Sequence, residues 1–66
     1  MDNVYVIVMK TENNTFYLNH AYLNSMDFGS EDMAWTTNDL EKARLMLFKI
    51  KTKKRQMAEF LSIETI

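Results

Sequence analysis

The residues predict one small α+β domain, an antiparallel sheet in the order ββ(β)α(α)β with one or two helices packed on one face. Three observations carry this expectation. Residues 3–11 and 15–23 are rich in β-branched and aromatic side chains and lack breakers, so each reads as a strand. From Leu40 onward the apolar residues recur at helical spacing instead. Between the two regimes lies Ala34 to Ala43, where Asn38 and Glu41 have the spacing of a reciprocal helix cap. Asp39 and Glu41 also suit the positive end of a helix dipole. Trp35, the only tryptophan, lies just upstream, where a large ring can wedge between sheet and helix.

In the first strand Val4, Val6 and Val8 face one way, and Tyr5, Ile7 and Met9 the other. Both faces are apolar, as in a central strand covered on two sides. Asn13-Asn14 then supplies residues that tolerate the left-handed conformation of a tight hairpin. The return strand carries Phe16, Leu18 and Tyr22 on one face, with His20 near its wetter end. Asn24 to Asp32 is polar, contains the sole glycine, Gly29, and reads as a loop. Phe28 within it is either a plug over the core or an exposed contact. Met33 to Thr36 is a candidate third strand beside the hairpin.

The helix is expected to begin at Asn38 or Asp39, with Leu40, Ala43, Leu47 and Ile50 on one face. Leu45 to Ile50 is apolar on more than one face, which makes a straight amphipathic helix awkward. Two short helices with a break near 49–52 are expected, Thr52 capping the second through Leu61; one bent helix is the alternative. Ser62 to Ile66 forms a terminal strand, Ile63 and Ile66 on opposite sides. One helical layer covers only one face of a small sheet. The other face of the first strand then needs the 24–32 loop, Trp35 or another protein over it.

At 66 residues the chain buries only about 60% of its unfolded surface, so stability needs a dense core or association. There is no cysteine, which removes disulfides and thiolate metal ligands, and His20 alone is too few for common metal sites. No cofactor is expected. The composition suits dense packing, with 47% hydrophobic residues, six methionines and eight aromatics in all. The methionines are adaptable packing residues that read mostly as core. Met1-Asp2-Asn3 lacks a basic start and Val4 to Met9 is a short apolar run, so no signal peptide or membrane span is expected. These features set the expectation of a cytoplasmic protein without membrane attachment. Residues 1–41 hold one base against seven acids, and residues 42–66 seven bases against two acids, although the net charge is only −1.

The succession Tyr5-Val6-Ile7, Tyr17-Leu18, Trp35-Thr36 and Asp39-Leu40-Glu41-Lys42-Ala43 resembles a class of very short proteins from bacteriophages and other mobile elements of bacteria. They share a strand–hairpin–Trp–helix–strand organisation. The resemblance implies a protein that works in the bacterial host cell by binding and blocking host machinery, such as defence or nucleic-acid enzymes. It supplies no functional residue to carry over.

An enzyme needs a nucleophile, base or metal in a defended pocket. His20 with Asp27, Glu31 or Asp32 is the nearest approach, and a strand-end histidine beside a solvated acidic loop explains it better. No glycine-rich phosphate loop or spaced ligand pair is present. A non-enzymatic role is therefore expected, binding a bacterial host protein, with a homodimer as a further form of association. The candidate contact residues are Tyr5, Ile7, Phe28, Glu31, Asp32 and Trp35, an acidic rim around aromatic anchors. Trp35 also reads as plain core. The alternative is nucleic-acid binding by Lys49, Lys51, Lys53, Lys54 and Arg55, five charges in seven residues that can neutralise phosphates while Phe48 or a tyrosine stacks on a base. Near-zero net charge weakens that case, and a solvated helix face accounts for the same run.

Overall fold

The computed structural model describes residues 3–19 and 27–66. Among the described residues, five strands and one α-helix make the expected α+β arrangement: β1 (Tyr5–Lys10), β2 (Thr15–Leu18), β3 (Phe28–Gly29), β4 (Thr36–Thr37), α1 (Leu40–Lys53) and β5 (Leu61–Thr65). Two 3₁₀ segments, Glu31–Met33 and Arg55–Phe60, fill connections. All strand pairings are antiparallel.

β1 is the centre of the sheet. Along one edge it pairs with β5 through most of its length, Tyr5 opposite Thr65 and Met9 opposite Leu61. Tyr5 and Val6 also pair with β4, while Val8 to Lys10 pair with β2. A strand has only two edges, so β2 and β4 must share the second one end to end. Their junction is bonded: the Trp35 amide donates to the Leu18 carbonyl at 2.7 Å, and Asn19 bridges Ala34. The hairpin between β1 and β2 is wider than an Asn-Asn turn. Thr11 closes it from one side, its amide donating to the Asn14 carbonyl at 2.8 Å and its hydroxyl accepting from the Asn14 amide at 3.2 Å.

The core is built from Ile7, Leu18, Ala43, Ile50 and Leu61, with Tyr5, Met9, Phe28, Trp35, Met46, Leu47 and Ile63 packed against it. Odd-numbered β1 residues thus face α1, as the alternation requires. Fully burying a side chain the size of Ile7, Leu18 or Ile50 contributes about 1.5–3 kcal/mol. Val6 and Val8 point the other way and are also fully buried. The second face of β1 is therefore covered within the chain, and no partner is needed there. Lys10 and Glu64 form an ion pair on that side, Glu64 standing opposite Val6 in the ladder.

Several boundaries differ from the sequence expectation. The second strand ends as a ladder at Leu18, and the expected placements of His20, Tyr22 and residues 24–26 lie outside the described residues. The 24–32 loop contains a short strand and a 3₁₀ turn, because Tyr17 and Leu18 offer ladder partners to Gly29 and Phe28. A side chain at Gly29 would meet open space, so packing does not dictate glycine there. The third strand is Thr36–Thr37 rather than Met33 to Thr36, Met33 being absorbed into the 3₁₀ turn.

The helix is capped by Asp39, not Asn38. The Asp39 carboxylate accepts from the amides of Glu41 and Lys42 at 3.0 and 3.4 Å. The Thr37 hydroxyl in turn accepts from the Asp39 amide at 3.1 Å, tying the cap to β4. At the other end α1 runs past the expected break to Lys53. Thr52 caps nothing; its hydroxyl donates to the Phe48 carbonyl at 2.9 Å within the helix. The turn comes at Lys54, whose φ of −118° and ψ of 62° leave the helical region. From Arg55 the chain continues as a 3₁₀ helix ending at Phe60, so Leu61 opens β5 instead of closing a second α-helix.

Candidate protein-contact site

Helix α1 carries apolar residues on two faces. Ala43 and Ile50 point into the core with no exposed surface, and Leu40 and Leu47 lie beside them half-buried. Leu45 and Phe48, three residues apart and so neighbours on the helix surface, are 68% and 71% exposed. At 3.6 residues per turn, Lys42 and Lys49 flank this pair on one side, Arg44 and Lys51 on the other. Arg44 bonds Glu41 one turn back at 3.1 Å, an exposed pair of small energetic weight. The surface is an apolar ridge between two rows of cations.

On the Lys42–Lys49 side the ridge falls into an open groove between α1 and β4. Trp35, Thr36 and Thr37 form its sheet wall, and Lys42, Leu45, Met46 and Lys49 its helix wall. Its volume is about 440 Å³, enough for partner side chains. Two local features fix the groove. The Trp35–Leu18 hydrogen bond holds β4 at the sheet, and the Thr37–Asp39 cap sets where α1 starts. Trp35 is half-buried, packed against the core while it lines the groove.

The six residues expected to make the contact do not form one surface. Ile7 is fully buried at the centre of the core and presents nothing to a partner. Tyr5 and Phe28 are half-buried and pack on the core cluster, which makes Phe28 the plug rather than the exposed contact. Glu31 and Asp32 are exposed on the first 3₁₀ turn, where the Ser30 hydroxyl donates to Asp32. Neither lines the groove, whose other members are neutral or cationic. Of the six, Trp35 alone reaches it. Leu45, with Phe48 cast only as a base-stacking residue, was missed as a contact. The signal was the two-faced apolar run itself: a 45/48 pair falls away from the 43/47/50 stripe.

The basic run is scattered rather than aligned. Lys49 lines the groove, Lys51 lies about 200° round the helix from it, Lys53 ends the helix, Lys54 makes the turn and Arg55 enters the 3₁₀ segment. Lys51 and Lys53 sit against the negative end of the α1 dipole, which stabilises the helix irrespective of any ligand. Among the described residues no three His, Cys, Asp or Glu side chains gather as metal ligands. Among them also, no helix is long and apolar enough to cross a membrane. Comparison with known proteins places nothing beside this chain: no family model, curated protein or solved structure matches it.

Proposed function

We propose that this chain is a non-enzymatic protein-binding module that docks through the Leu45–Phe48 ridge and the adjoining Trp35 groove. One observation carries the reading: two large apolar side chains, about 70% exposed, stand between rows of lysine and arginine on a core-anchored helix. Holding such residues in water on a chain this small costs stability, and apolar patches rimmed by charge mark contact sites. The chemistry selects the partner. An apolar pocket bordered by carboxylates would take Phe48 and Leu45 as anchors, with Lys42 and Lys49 steering the approach. The bacterial host protein implied by the resemblance remains the partner class, and modulation of that protein the role.

The test is affinity capture of the tagged chain from bacterial lysate, with and without nuclease, beside the variant L45E/F48E. The expected result is a nuclease-resistant partner in near-equal amount, lost from the variant while far-UV circular dichroism shows it folded. A partner that the variant retains overturns the helix-face reading. Material that vanishes with nuclease favours the alternative, in which Phe48 stacks on a base while Lys49, Lys51, Lys53, Lys54 and Arg55 meet phosphates.

A further inference from the structure

The outer edges of the sheet are not alike. β3 and β4 are two residues long each and too short to template another strand. β5 is five residues long and pairs only with β1 among the described residues. Hydrogen-bond parity says which of its groups are free. The Ile66 amide donates to the Val4 carbonyl at 2.9 Å, so residues 4 and 66 form a hydrogen-bonded pair. Such pairs alternate along an antiparallel ladder, so Glu64 and Ser62 also bond β1, while Leu61, Ile63 and Thr65 turn their backbone groups outward. The Leu61 amide is taken by the Ala58 carbonyl. The amides and carbonyls of Ile63 and Thr65, with the Leu61 carbonyl, make an open bonding edge among the described residues.

We propose that this edge pairs with the β5 of a second copy, antiparallel and centred on Ile63, to join two sheets into one. The side chains specify both the occupant and the register. Centred on Ile63, the two Ile63 residues exchange both bonds and each Thr65 amide meets the partner's Leu61 carbonyl, so every free amide on the edge finds a free acceptor. Glu64 then stands opposite the partner's Ser62, where the hydroxyl can donate to the carboxylate, and Lys10 already neutralises that carboxylate. A centre at Glu64 would instead set two carboxylates face to face. At the ends of the strand, Phe60 comes level with the partner's Ile66, and these residues are 43% and 58% exposed in the monomer. Each protomer thus supplies both members of every pair, as a two-fold interface requires. Within this pairing the one carboxylate needs no base from an outside partner. This surface lies across Arg44 from the Leu45–Phe48 ridge and does not depend on its function.

The test is sedimentation of the full chain from micromolar to millimolar concentration, with four variants in β5 or on α1. Dimer is expected to accumulate with concentration. S62E puts a carboxylate opposite the partner's Glu64 twice in the dimer and should weaken it about tenfold, whereas S62K should tighten it. T65P removes an amide that faces away from β1, so it should abolish the dimer with the fold kept, as judged by circular dichroism. L45E/F48E should leave the dimer unchanged. A chain that is monomeric throughout overturns the proposal. So does a dimer indifferent to Ser62 and Thr65, or one lost with Phe48, which would place the interface on the helix.

Discussion

The inner and outer faces of α1 use the same kinds of residue for opposite ends. Ile50 and Leu45 are both branched aliphatics on one helix, yet Ile50 has no exposed surface and Leu45 keeps 68% of its own. Ile50 lies with Ala43 and Leu47 over β1 and β5, where burial drives folding. Leu45 and Phe48 lie in the arc turned away from the core, Leu45 at the rim of the groove beside Trp35. Hydrophobicity in a short sequence therefore does not translate directly into core. A 14-residue helix over a small sheet has room for one buried stripe, and apolar residues beyond it serve something else.

This contrast breaks most sharply at Ile50. I50A should cost about 2–5 kcal/mol, much of what a domain this size has to spare, seen as a fall in the urea midpoint. F48A, which removes a larger side chain from the same helix, should move stability by no more than about 0.5 kcal/mol. Equal losses for the two would mean that the outer face is packed after all. D39A tests what aims both faces, since it removes acceptors from the Glu41 and Lys42 amides; a loss of about 1 kcal/mol is expected, whereas N38A should be near neutral. Smallest is the Lys10–Glu64 pair, whose side chains are 54% and 35% exposed. A double-mutant cycle should give a coupling below about 1 kcal/mol that shrinks as salt is added.

Long-range architecture was legible where periodicity had room to show itself. β1, the hairpin, the inner stripe 40/43/47/50 and the closing strand all rest on alternation or helical spacing sustained along the chain. β3 and β4 do not, because two residues define no period; their pairing is imposed by Leu18, Tyr17 and β1 across the sheet. The cap was misplaced by one residue for a related reason. Asn38 and Asp39 have equivalent capping chemistry, and the Thr37 hydroxyl on β4 decides between them by holding the Asp39 amide. Thr52 looked like a cap because threonine favours that role, but its hydroxyl bonds the Phe48 carbonyl instead. As for the candidate site, Glu31 and Asp32 stand away from the groove beside Trp35, which Lys42 and Lys49 border instead. Linear charge asymmetry said nothing of which side of Trp35 the helix would pass.

The pairing of β1 with β5 joins positions 52 to 60 apart in the sequence. On a ribosome, the hydrophobic segment Val6-Ile7-Val8 would wait for its longest neighbour until the more than fifty residues that separate them had been made. Closing so long a loop is slow for a chain of this size, and an unfilled strand edge is open to chaperones and to like chains in the meantime. The exposure of that edge thus lasts at least as long as synthesis of the intervening residues, at about 5–20 residues per second.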